Sequence, residues 1–136
     1  GDSVNLGSRL EGLTKEYGIK LIVSEFTIAK LTKKHHLYRD LDDIRVKGKH
    51  EPVKVYHLLR PDLYTGQQAL DLIGIFEEGR QLYRVQNWVL ARKKFTECLQ
   101  ISASDGPALT YLERIEHYAA QEKMQDWDGV YTFTHK

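Results

Sequence analysis

Apolar positions along the first part of the chain recur at two different periods. Val4, Leu6, Leu10 and Leu13 fall at helical spacing, and Asp2 or Ser3 can cap a helix running to about Lys15. Gly18 supplies its stop. Ile19 to Val23 read as a buried strand. Ser24 and Glu25 open a short helix with Phe26, Ile28, Ala29 and Leu31 inward, which runs out in Lys33-Lys34-His35-His36. Leu37, Leu41, Ile44 and Val46 are the apolar points of a strand over 37–46, and Val53, Val55 and Tyr56 lie near the centre of another ending at Leu59. The turn between them, Lys47-Gly48-Lys49-His50, is short, so the pair is predicted to be an antiparallel hairpin.

After Arg60-Pro61-Asp62 the pattern breaks, and a linker over 60–66 leads to a helical period. Helices are predicted at about 67–85, 87–101 and 107–121. Asn87 caps the second, and Pro107 is tolerated in the first turn of the third. Gly79, Leu82, Ala91, Phe95 and Cys98 form a partial tetratricopeptide pattern, in which small residues let two antiparallel helices approach and large ones fill the groove. One repeat and a following helix fall short of the roughly three that a free-standing array needs, so this extension is expected to pack on residues 1–59. Trp127 to Thr134 read as a turn and an extended strand that returns to the body, because aromatic and β-branched residues this dense are rarely left free.

A length of 136 residues allows one domain or two small ones. The apolar share of 41% and charged share of 29% are those of an ordinary globular chain. A net charge of +1 provides no field for nucleic acid or an anionic membrane surface. No apolar run approaches the about 20 residues that span a bilayer. Cys98 is alone, which rules out an intrachain disulfide and fits a reducing compartment. The only methionine is Met124, so the chain is read as a piece of a longer protein.

Candidate chemistry lies in two separated polar motifs. Asn5 and Arg9 stand four residues apart on the first predicted helix, so both leave the same face. A guanidinium can fork onto phosphate oxygens while an amide fixes a hydroxyl or ring oxygen. The second motif, Arg45-Val46-Lys47-Gly48-Lys49, ends a strand. Together, GDSVNLGSRLE and RVKGK, with Tyr17 to Ser24, Leu41 to Ile44 and Glu51 to Tyr56 around them, resemble the class III nucleotidyl cyclases over about residues 1–59. Gly7 departs from that pattern, which usually has alanine there.

The resemblance implies an α+β fold: residues 1–59 as the C-terminal portion of a ferredoxin-like cyclase half-domain, followed over 67–136 by an α-helical, tetratricopeptide-like tail with a terminal extended segment. It implies that Arg9 stabilises the transition state, that Asn5 positions the ribose, and that Lys47 holds the outer phosphates. Lys49 has no firm role. The aspartates that hold two metal ions in the family, Mg2+ or Mn2+, lie upstream of Gly1, so this segment binds none and is expected to be inactive alone. ATP is favoured over GTP as substrate. The family works as a dimer with its site between subunits, and unpaired strand edges also favour a homodimer. The helical tail is a candidate for docking a protein partner. No nucleic-acid or membrane contact is expected. The segment reads as cytoplasmic, with an upstream membrane anchor left open. The alternative is a non-catalytic interaction module in which the helices bind a peptide or partner helix.

Other polar residues read as ordinary surface or core. His35 and His36 are a solvated helix end, and His50, His57, His117 and His135 are scattered without a sequence partner. Asp40, Asp42 and Asp43 lack the spacing and glycine of a calcium loop. Tyr83, Trp88, Phe95 and Tyr111 are core or partner-facing aromatics.

Overall fold

The computed structural model describes residues 12–28, 37–46, 51–60 and 62–133. Their architecture is α+β, with a four-stranded sheet and five helices among the described residues. It divides into two compact units. Residues up to Leu63, joined by those from Val130 onward, form the first; Tyr64–Gly129 form the second.

In the first unit residues 12–17 are helical (α1), and Leu13 and Tyr17, one turn apart, are both fully buried. Gly18 ends α1 at φ 66°, a left-handed conformation that glycine adopts without a Cβ clash. Its N–H donates to the Lys15 carbonyl at 3.3 Å, and Ile19 N–H donates to Thr14 O at 3.0 Å, satisfying carbonyls the helix leaves over. Strand β1 (Ile22–Ser24) begins later than the Ile19 start expected from the apolar run. A short helix α2 (Glu25–Ile28) follows, and Ser24 Oγ accepts from Thr27 N–H at 3.3 Å to cap it. Phe26, expected to point inward, is instead 61% exposed, since one helical turn is too short to fix an apolar face.

Strands β2 (Leu37–Val46) and β3 (Val53–Leu59) form the expected antiparallel hairpin, with Arg39 opposite His57 and Ile44 opposite Val53. The register shifts between Asp40 and Asp42. This bulge lets two successive residues, Leu41 and Asp42, both be buried, which strict alternation forbids. Leu37, taken as an apolar point of the strand, is 39% exposed at its start. A last strand, β4 (Tyr131–Phe133), pairs parallel with β2 and completes the sheet order β1-β3-β2-β4. The terminal segment therefore returns to the sheet, as its composition suggested. Among the described residues of this unit, the buried hydrophobic ones are Leu13, Tyr17, Leu41, Ile44, Val55 and Leu59.

The second unit is a bundle of α3 (Gly66–Arg84), α4 (Trp88–Ile101) and α5 (Gly106–Ala119). The three lie within two residues of their sequence-predicted bounds because their ends carry local signals. Asn87 Oδ1 accepts from Leu90 N–H and Asp105 Oδ2 accepts from Ala108 N–H, each at 3.3 Å, and Pro107 sits in the first turn of α5. Phe76, Phe95 and Tyr111 form the centre of the bundle, Phe95 and Tyr111 stacking at 4.8 Å between centroids. Gly79 is needed there: a Cβ at this position would lie 2.9 Å from the Phe95 ring. Arg80 Nε donates to Tyr111 Oη at 3.2 Å, and Arg114 lies 5.0 Å from the centroid of the same ring. Cys98 is buried, as its place on the apolar stripe predicted.

Past α5 the chain folds back over the turn between α3 and α4. The Gln86 side chain both donates to Met124 O and accepts from Met124 N–H, each at 2.9 Å. Trp127 Nε1 donates to Arg84 O at 2.8 Å, and its ring packs against Tyr83, Trp88 and Tyr118.

Candidate functional site

Asn5, Arg9 and Lys47, the three residues assigned to the nucleotide, lie outside the described residues, as does Lys49. What the structure supplies is the scaffold on either side of them in sequence. Residues 12–17 begin three positions after Arg9, and β2 ends at Val46, immediately before Lys47. The strand end is held on both sides, by β3 through Ile44 and Val53 and by β4 through Ile44–Tyr131, Arg45–Thr132 and Val46–Phe133.

Three carboxylates on β2 each have an internal partner on at least one oxygen. Lys54, opposite Asp43 in the register, places Nζ 3.1 Å from Asp40 Oδ2 and 3.8 Å from Asp43 Oδ1. Its backbone N–H donates to Glu25 Oε1 at 3.2 Å. Asp42 is fully buried, accepting from the Tyr17 hydroxyl on one oxygen and from Asp43 N–H at 2.9 Å on the other. Buried charge needs such satisfaction to be tolerated. The run therefore builds the sheet, and among the described residues no cluster of three or more His, Cys, Asp or Glu side chains is disposed to hold a metal ion. On the same strands Tyr38 and Tyr56 meet edge to face at 5.5 Å, and burial, with the neighbouring Asp40 carboxylate, raises the Tyr56 hydroxyl above its ordinary pKa.

Sequence reading missed the pairing of Arg39 with His57. Both are buried, and Arg39 Nε donates to His57 Nδ1 at 3.1 Å across the hairpin. An imidazole that accepts at Nδ1 is neutral and carries its proton on Nε2. Burial, reinforced by the guanidinium charge, lowers the His57 pKa from 6.5 to about 3. The hairpin register was the available signal, because it puts residues 39 and 57 directly opposite each other on the inward face.

The sequence similarities found are to adenylate cyclases, and they support kinship with adenylate cyclase-related proteins. One relative is the terminal-differentiation-specific adenylate cyclase of Dictyostelium discoideum, 30% identical over 117 residues, covering 84% of this chain and 6% of that protein. Another is an adenylate cyclase of Anabaena cylindrica, 38% identical over 60 residues, covering 43% of this chain and 12% of the relative. The chain thus corresponds to a small part of the length of each. A match of 117 residues is too long to be confined to the sheet unit and runs into the helical one. No protein-family model matches the chain, and no solved structure does. Among the described residues, no helix is long and apolar enough to cross a membrane.

Proposed function

We propose that this chain is the C-terminal portion of a class III nucleotidyl cyclase catalytic domain with its helical extension, and that the whole protein converts ATP to cyclic AMP and pyrophosphate. The ribose 3′-hydroxyl, losing its proton, bonds to the α-phosphorus as the bond from that phosphorus to the bridging oxygen breaks. Charge accumulates on the phosphoryl oxygens, and fixed cationic donors lower the barrier. Arg9 acts there with a forked guanidinium, Asn5 orients the ribose, and Lys47 neutralises the outer phosphates as a point charge.

The observation that carries this reading is the similarity to an adenylate cyclase over 117 residues, spanning most of the chain. The fold supports it, since the hairpin leading into and out of the lysine-bearing turn forms as the motif requires. Asp40, Asp42 and Asp43 of β2 pair with Lys54, Tyr17 and a backbone N–H, and among the described residues no group of three or more His, Cys, Asp or Glu is placed to hold a metal ion. The Mg2+ or Mn2+ used by such cyclases would be held by carboxylates other than these. The working form is a dimer, and the helical unit is a tetratricopeptide-like docking element.

The test is a cyclic AMP assay on the full reading frame that contains this sequence, supplied with ATP and Mn2+. Turnover is expected from that protein and not from the 136-residue chain alone. Lys47→Ala should raise KM for ATP roughly tenfold, the loss of one charge-assisted phosphate contact. Turnover by the isolated chain, or an unchanged KM, contradicts the assignment. Absence of turnover from the full protein would favour the non-catalytic module.

A further inference from the structure

Strand β4 follows the helical unit in sequence and pairs with the end of β2. Its three residues pair with Ile44, Arg45 and Val46, the last residues before Lys47. Its first residue, Tyr131, also donates its hydroxyl to Glu16 Oε1 on α1. The next residue of α1, Tyr17, donates to Asp42 on β2. Three ties therefore close a triangle: α1 to β2 through Tyr17–Asp42, α1 to β4 through Glu16–Tyr131, and β4 to β2 through the ladder. Glu16 follows Arg9 by seven residues in the sequence. The triangle thus joins the element downstream of Asn5 and Arg9 to the strand that leads into Lys47.

The residues that deliver β4 are themselves fixed. Met124 is bonded to Gln86, and Trp127 to Arg84. Gly129 then turns at φ 75°, and a Cβ there would lie 3.2 Å from Arg84 Cγ. A left-handed turn crowded by Arg84 favours glycine, which adopts it without a Cβ penalty. Only Val130 stands between this turn and the first residue of β4.

We propose that β4 is a positioning strap: returning to the sheet unit, it sets α1 and the end of β2 in fixed relation, and Tyr131 is its positioning residue. This rests on the cyclase reading for its catalytic consequence, though not for its structural one. Holding the two elements that adjoin the assigned phosphate-binding residues to within a fraction of an ångström is what such a site requires of its support, and the strap supplies one side of the triangle.

Two arms test it. In the 136-residue chain, amide hydrogen exchange is measured without substrate, comparing wild type, Tyr131→Phe, and a variant lacking residues 130–136. Deletion should speed exchange at Ile44, Arg45 and Val46 at least tenfold while His57 and the helices α3–α5 keep their protection. Tyr131→Phe should speed it at α1 alone. In the full reading frame, deletion of 130–136 should raise KM for ATP at least fivefold, a change that loss of folded fraction cannot produce. Glu16→Gln, which keeps an acceptor, should behave as wild type. Glu16→Ala and Tyr131→Phe should lower kcat to the same extent, and their combination no further. Unchanged exchange at Ile44–Val46 after deletion overturns the strap whatever the activity. Unchanged KM after deletion, with Arg9→Ala inactive, overturns its catalytic role and leaves the cyclase reading standing. An Arg9→Ala protein of normal activity defeats the cyclase reading itself.

Discussion

Protonating His57 would place a second cation beside Arg39 on a sheet face that water does not reach. The cost is visible in the fall of its pKa from 6.5 to about 3. In the unfolded chain the same imidazole titrates near 6.5, so between these values the unfolded state binds more protons than the folded one. The contribution of neutral His57 is therefore complete above about pH 6.5 and is lost progressively as the pH falls toward 3. A shift of this size is worth at most about 5 kcal/mol. His57→Gln keeps an oxygen acceptor for Arg39 and removes the titration. Urea midpoints measured from pH 7 to 4 should fall more steeply for the wild type than for this variant; parallel curves would show that His57 does not carry the difference. The same pair marks a limit of sequence reading. Arg39 and His57 lie 18 residues apart, each unremarkable alone, and they meet only once the hairpin register is known. Leu41 was read as an apolar point and is buried, but the burial of Asp42 beside it was opaque for a related reason: the bulge at this point breaks the two-residue period on which the strand was read.

At the scale of elements, the helices were legible because their determinants are local. Asn87 and Asp105 cap α4 and α5 through their own side chains, and each cap is worth about 1 kcal/mol. The helix α2 was less so: its single turn leaves Phe26 exposed, and no periodic signal over four residues could fix its face. Two glycines of α3 give a paired test of packing. Gly79 faces the Phe95 ring, where an added methyl would come within 2.9 Å, whereas nothing lies within 4 Å of Gly74. Gly79→Ala gains about 1 kcal/mol of helix propensity and loses about 1–3 kcal/mol to overpacking, so packing wins. Gly74→Ala should gain up to about 1 kcal/mol with no opposing term. Thermal melts should therefore move in opposite directions, down for Gly79→Ala and up for Gly74→Ala. A shared direction would mean that the Phe95 contact does not limit the bundle.

At the scale of the whole chain, the helical unit is inserted between β3 and β4 of the sheet unit, so the sequence leaves one fold, builds another, and comes back. The return was foreseeable from the dense aromatic and β-branched residues after Trp127. Its destination was not, because a three-residue parallel pairing between residues 87 positions apart leaves no periodic trace. The candidate site has the opposite character. Asn5, Arg9 and Lys47 were legible only as motif, and the described residues supply their neighbours: α1 after the first pair and the β2–β3 hairpin around the lysine. The most direct measurement is the kcat for cyclic AMP formation by the full reading frame with Arg9→Ala, compared with wild type at saturating ATP and Mn2+. Loss of a donor to developing phosphoryl charge should lower kcat by about 100-fold or more with the fold retained. A folded Arg9→Ala protein that turns over at the wild-type rate would contradict the account.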